Sequence, residues 1–319
     1  MQKFDYDVDP KAIKFLSILK PWKTAAAMAF DWFVIVTTIA TSIYISHPVG
    51  YVFAVLLIGG RMHAFAALIH EFAHYRFIAN KSASDWIGDI VLAWPLGASI
   101  DAYRRNHASH HRYTNTELDP DWAIKLGVKH FSFPQKWTYA LSNVVGYLLA
   151  VNSIRDMKSA LTRLNKDQDK VPRVYKIMRL SFYVVVIALI TVLGIWKGFF
   201  LYWVVPFFTS FPLLLYFRSV SEHFGSMDYD HQLGSTRTVY PYLWERAFMA
   251  PHNAYYHLDH HLYPSVPFYN LPQLHALLLT NEQFRQDAHL TRGYSTGVVR
   301  ECLFPNKNQQ ASPKAAQAG

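Results

Sequence analysis

Cysteine is almost absent from this chain. Cys302 is the only one in 319 residues, so neither a disulfide framework nor a thiolate cluster for zinc or iron–sulfur can be assembled within it. Any metal must rest on nitrogen and oxygen ligands. Charge is scarce as well: 17% Asp, Glu, Lys and Arg against 51% hydrophobic and 16% aromatic residues, too little for a soluble domain of average usage. The balance points to a membrane. No convincing internal repeat is present, and no nucleic-acid motif accompanies the net charge of +9, whose Lys and Arg are spread over the polar segments. Nucleic acid is therefore not an expected partner; anionic headgroups or an acidic redox protein account for the charge. The N-terminal stretch carries Asp5, Asp7 and Asp9 and no small-residue cleavage site, so no cleavable leader is expected.

What the chain has in quantity is apolar runs. Residues 25–45, 51–69, 177–194 and 198–217 approach the roughly 20 residues that cross about 30 Å of hydrocarbon. Short links join them in pairs. The expected fold is all-α and integral to the membrane, with four transmembrane helices in two hairpins and a cytosolic helical cap. Residues 1–305 would form a single domain, followed by a Gln-, Ala-, Lys- and Pro-rich tail, 306–319, expected to be disordered. The links hold only Lys197, whereas Lys and Arg crowd the outer flanks, so both termini and both long polar segments are expected to face the cytoplasm. Residues 86–100 and 139–151 read as interfacial, re-entrant or buried helices. Asp31 and Arg61 fall roughly 10 Å inside the hydrocarbon boundary, where each needs a partner, and the spacing predicts that they pair with each other.

Sixteen histidines supply the nitrogen, and most are clustered. Three groups stand out: His70-Glu-Phe-Ala-His74, His107-Ala-Ser-His110-His111 and His257-Leu-Asp-His260-His261. On a helix, positions i, i+3 and i+4 share an arc of about 100°, so each group can present its imidazoles from one face. Adjacent members such as His110 and His111 diverge by about 100°, which suits two ions rather than one. Isolated His47, His63, His130, His231, His275 and His289 read instead as hydrogen-bonded structural residues. Imidazole alone leaves Fe, Zn, Cu and Ni open. Catalytic zinc commonly needs three protein ligands, and eight clustered histidines exceed that. The segment His70-Glu71-Phe72-Ala73-His74 also fits the H-E-x-x-H pattern of zinc proteases, but that reading leaves both His-x-x-His-His groups idle. A membrane metal transporter would hold its ligands near mid-membrane on broken helices, whereas these groups fall at or beyond the ends of the spans.

The three groups, in this order, with Tyr256-His-Leu-Asp-His-His-Leu-Tyr-Pro264 and Ser265-Val-Pro-Phe-Tyr-Asn-Leu-Pro272, resemble the histidine boxes of the membrane fatty acid desaturase superfamily, and of its short bacterial and plant acyl desaturase branch. The resemblance runs from about Trp22 to His275. It implies two iron ions held mainly by histidine, O2 as co-substrate, and a separate electron donor such as ferredoxin or cytochrome b5. It also implies a fatty acyl substrate, free or linked to lipid, acyl carrier protein or CoA, and a location in the bacterial inner membrane with the active site cytoplasmic. Desaturation is the expected reaction; hydroxylation, acetylenic bond formation and alkene-forming decarboxylation use the same oxidant. His223, at the predicted end of the fourth span, is expected as a ninth ligand in preference to His252, with Asn253 as a holder of metal-bound water. Glu71, Glu222 and Asp259 are expected to accept an N–H from ligating imidazoles. Phe65, Phe72, Trp94, Phe208 and Phe211 are expected to line an acyl path.

Overall fold

The computed structural model describes residues 4, 8–157 and 171–304; the tail expected at 306–319 lies outside them. After a short helix α1 (Pro10–Leu16), two long apolar helices follow, α2 (Pro21–Ile45) and α3 (Pro48–Ala73). Both start on proline at the first helical position, where the missing N–H is not needed and the fixed φ already suits a helix. Between them Ser46 turns through a left-handed conformation, and the His47 ring accepts from Val49 N at 3.2 Å to cap α3. Each helix begins earlier than its apolar run, and α3 continues past Ile69 to bring His70 to its last turn.

Next come α4 (Lys81–Gly88), an irregular buried passage through Asp89–Leu96, α5 (Ile100–Tyr113) and α6 (Trp137–Leu148). These resolve the two shorter apolar stretches. The first is mostly buried around Leu92, Trp94 and Ile100, and the second is a helix with many exposed apolar side chains. A third apolar helix, α7 (Arg173–Val192), buries only Ile190. The fourth, α8 (Trp196–His223), widens at Phe200–Val204 and breaks at Thr209. Pro206 and Pro212 remove two donors there, which disrupts the regular ladder. By length and composition α2, α3, α7 and α8 are able to cross a membrane.

α3 is the axis of the molecule. From Ile58 to Ala73 almost every side chain is buried, and Phe65, Leu68 and Phe72 are fully enclosed. It lies close against α8 at Gly59, where an added Cβ would meet Ser210 and, at 2.8 Å, the Phe211 nitrogen. Asp31 of α2 pairs with Arg61 of α3 at 3.0 Å, as the sequence predicts, and also accepts from His252 Nε2 at 2.7 Å.

After α8 come β1 (Thr238–Tyr240), α9 (Leu243–Phe248), α10 (His257–Leu262), α11 (Leu271–Leu278), β2 (Leu290–Arg292) and α12 (Val299–Leu303). β1 and β2 run parallel, with Thr238 opposite Leu290. Buried Arg237 donates to the carbonyls of Ser221 and Phe224 and to Glu301, tying the end of α8 to α12. The Glu245 carboxylate accepts from the backbone of Tyr242, Tyr294 and Ser295, anchoring α9 to the chain beyond β2.

Candidate metal centre

Four separate helix ends deliver the histidines to one place. His70 and His74 come from the end of α3, His107, His110 and His111 from α5, His223 from the last residue of α8, and His257, His260 and His261 from α10. They sort into two groups: His70, His74, His107, His111 and His260 in one, His110, His223, His257 and His261 in the other. Within each group the available ring nitrogens all lie within 4.8 Å of one another. The two His-x-x-His-His motifs are therefore split between the groups, His110 parting from His111 and His260 from His261. This is the divergence that adjacent helical positions require.

The contacts within the groups are nitrogen to nitrogen. His107 Nε2 stands 2.9 Å from both His74 Nε2 and His111 Nε2, His260 Nε2 lies 3.1 Å from His111 Nε2, and His257 Nε2 lies 2.9 Å from His223 Nε2. His70 Nε2, His223 Nδ1, His260 Nδ1 and His261 Nε2 are buried with no hydrogen-bond partner. Buried polar nitrogens left unpaired are costly. A cation in each group would stand between nitrogens otherwise crowded at 2.9–3.1 Å and would take up His70 Nε2 and His261 Nε2 as well, so the donor set fits metal; His223 and His260 approach their groups through Nε2, and their Nδ1 atoms would stay unpaired.

Protonation agrees. Burial, reinforced by the neighbouring imidazoles, pushes His107, His257, His260 and His261 well below the ordinary histidine range. The same causes take His111 down to about 2. His74 falls to about 4 through burial and the nearby guanidinium groups of Arg76 and Arg104. At neutral pH these rings are neutral, with lone pairs available for ligation.

The surrounding carboxylates only partly match expectation. Glu222 Oε1 lies 3.4 Å from His257 Nδ1 while accepting from Arg218 at 2.8 Å. Glu71 Oε1 lies 3.7 Å from His70 Nδ1, too far for a hydrogen bond, and Glu71 Oε2 accepts from Phe268 N at 2.9 Å. Asp259 does not reach a clustered histidine. It accepts from His275 Nδ1 and from the Thr238 hydroxyl, both at 2.6 Å, because its helical position between His257 and His260 points it towards α11 and β1. The acid that does orient a clustered imidazole is Asp119, which accepts from His110 Nδ1 at 2.8 Å and is fully buried. Sequence reasoning missed it: Asp119 lies beyond the end of α5, where helical spacing carries no information.

His252 and Asn253 join neither group. Both adopt left-handed backbone conformations; His252 bonds to Asp31, and Asn253 donates to Phe268 O at 3.0 Å. His63, His275 and His289 have structural partners, as expected of isolated histidines.

A cavity of about 450 Å³ reaches His70, His107, His110, His223 and His257 and is lined by apolar Ile69, Leu96, Phe211 and Leu215, with Lys125 and Asp121 also at its wall. Of the five aromatic residues expected to line an acyl path, Phe211 alone faces this cavity. Phe65 packs on Trp32, Phe72 on Phe77, Trp94 on Phe182 and Phe208 on Phe207. Phe65, Phe72 and Trp94 fill the protein interior, and Phe208 is half-buried.

Comparison with known proteins agrees with this arrangement. The chain is 27% identical over 269 residues to the dihydrorhizobitoxine desaturase of Bradyrhizobium elkanii, covering 81% of this chain and 76% of that protein. It is 26% identical over 238 residues to the sn-1 oleoyl-lipid 12-desaturase of Arthrospira platensis, covering 70% of this chain and 66% of the relative. A family model described as "Fatty acid desaturase" matches residues 46–291, a stretch that contains every one of the nine clustered histidines. By that match, and with the histidines gathered as they are, the chain belongs to the fatty acid desaturase family.

Proposed function

We propose that the protein is an O2-dependent, di-iron fatty acyl desaturase of a bacterial inner membrane, with its active site on the cytoplasmic side. The observation that carries this reading is the division of nine histidines from four helices into two groups, with the facing ring nitrogens of each group within 4.8 Å of one another. Iron with O2 supplies an oxidant strong enough for unactivated C–H bonds, which redox-inert zinc cannot. In the overall balance the acyl chain loses two hydrogens and O2 becomes two waters; a separate donor, such as ferredoxin or cytochrome b5, gives the remaining two electrons, with two protons from solvent.

The chain's own residues have defined work in this scheme. His70, His74, His107, His111 and His260 would hold one iron, and His110, His223, His257 and His261 the other. Asp119 fixes the ring orientation of His110, and Glu222 stands beside His257. Ile69, Leu96, Phe211 and Leu215 form the wall against which an acyl chain would lie, keeping water from the reacting methylenes.

The test is metal analysis of the purified protein together with gas chromatography of lipids from cells expressing it. About two irons per chain and a new unsaturated acyl species are expected, both lost in the His110→Ala/His111→Ala double variant. Because one relative is named for dihydrorhizobitoxine, soluble metabolites belong in the same comparison. Zinc in place of iron, or hydroxylated rather than unsaturated product, would overturn the assignment.

A further inference from the structure

A second cavity, of about 670 Å³, shares no lining residue with the one at the histidines. It runs along α2 and α3 beneath α9 and the turn at Pro251–Asn253. Its wall combines cations with apolar side chains. Lys23 and Arg246 both line it; Lys23 Nζ lies 5.1 Å from the Tyr269 ring centre and Arg246 Cζ lies 5.7 Å from that of Tyr255. Neither cation pairs with a carboxylate among the described residues, and the lining contains no acid. Ala26, Phe30 and Val34 on α2 and Leu57 on α3 give it an apolar wall. From Lys23 to Val34 the helix rises about 16 Å, enough to accompany much of an acyl chain.

Two further observations mark where this groove sits and what it lacks. Trp22 is 67% exposed at the start of the first apolar helix, and Leu243 and Trp244 on α9 are 85% and 55% exposed. Exposed Trp at the end of a span is the usual mark of the bilayer interface. Arg61 also lines the groove, is only 6% exposed, and has a buried Nε with no partner.

We propose that this groove binds a bilayer phospholipid with an anionic headgroup, its phosphate held by Lys23 and Arg246 and one acyl chain lying along Ala26, Phe30, Val34 and Leu57. The two cations recognise the headgroup, and the apolar wall distinguishes a lipid from a soluble phosphate. His252 and Phe268 form the wall between this site and the small void that touches His70, His257 and His260. The lipid is therefore separate from the reacting chain and packs on the left-handed turn that leads into α10.

The experiment is titration of the delipidated full-length protein in detergent with dioleoyl phosphatidylglycerol or dioleoyl phosphatidylcholine, with bound lipid counted by native mass spectrometry. Each cation near a headgroup contributes on the order of fivefold, so Lys23→Gln with Arg246→Gln should weaken phosphatidylglycerol binding roughly 25-fold. Ala26→Trp, at an exposed helical position, should block the groove with both charges intact and decides the matter if the charge variant does not fold. The His110→Ala/His111→Ala variant should bind the lipid normally. Equal affinity for the two lipids, or phosphatidylglycerol binding unchanged in both groove variants, would overturn the proposal. Loss of lipid in the histidine variant alone would assign it to the histidine cavity instead.

Discussion

Asp119, fully buried, and Glu301, half-buried, show how a single carboxylate sets the behaviour of its neighbours. Asp119 serves two ends at once: one oxygen receives His110 Nδ1, and the other receives the Asp121 and Trp122 amides at the start of a short helix. Asp119→Asn preserves the capping function, since Asn caps as well as Asp, but removes the charge behind the imidazole. Metal affinity should fall 10–100-fold, measured as metal retained per protein against a graded chelator, with little change in melting temperature. Unchanged affinity would mean that His110 does not bind metal through its other nitrogen. At Glu301, burial raises the pKa, but the hydrogen bonds from His289 and Thr291 and the Arg237 guanidinium outweigh it and hold the carboxyl at about 2. A depressed carboxylate stabilises the folded state fully above its unfolded value near 4.5 and loses that contribution as pH falls towards 2. Glu301→Gln should therefore cost about 2–3 kcal/mol at pH 7, and the gap between wild type and variant should close between pH 4.5 and 2 in denaturant unfolding. A gap independent of pH would show that the ionic form is not what matters.

Among the elements, the pairing of α2 with α3 is where reasoning from spacing reached furthest into tertiary structure. The bilayer dimension and the helical rise put Asp31 and Arg61 at the same depth, and the 3.0 Å contact follows. Its second partner was not legible, because His252 reaches Asp31 only through the left-handed turn after Pro251, a conformation that sequence spacing does not reveal. Removing one member of a buried pair strands the other charge, at a cost of about 3–5 kcal/mol. Asp31→Asn and Arg61→Gln should each lower the unfolding midpoint in detergent, and the double variant should lose less than the sum. Strictly additive losses would mean that the two charges act independently. The histidine motifs were legible because each depends on positions within one helix. The acyl-path aromatics were not, since hydrophobic character says that a ring is buried but not whether it faces another ring or a cavity.

Across the whole molecule, the apolar runs and the three histidine groups were readable because each is a local pattern, while the pairing of β1 with β2 and the ties from Arg237 and Glu245 join segments that sequence periodicity leaves unrelated. Orientation follows from a property of the entire chain, the distribution of Lys and Arg. The links at 46–47 and 193–195 are nearly free of them, and only Lys197 follows closely, whereas the segments that carry the histidines hold Arg76, Lys81, Arg104, Arg105 and Arg112. Positive loops remain on the cytoplasmic side, so the histidine centre should face the cytoplasm and Lys197 the opposite compartment. The single, buried cysteine makes this measurable without background labelling. Lys197→Cys introduces a thiol at an exposed position in the first turn of α8, and Leu118→Cys introduces one where the native side chain is 69% exposed, in the segment after α5. In intact cells a membrane-impermeant maleimide should label the variant at 197 and spare the one at 118 until the membrane is opened. The inverse pattern would turn the whole protein over and put the histidine centre on the other side of the bilayer.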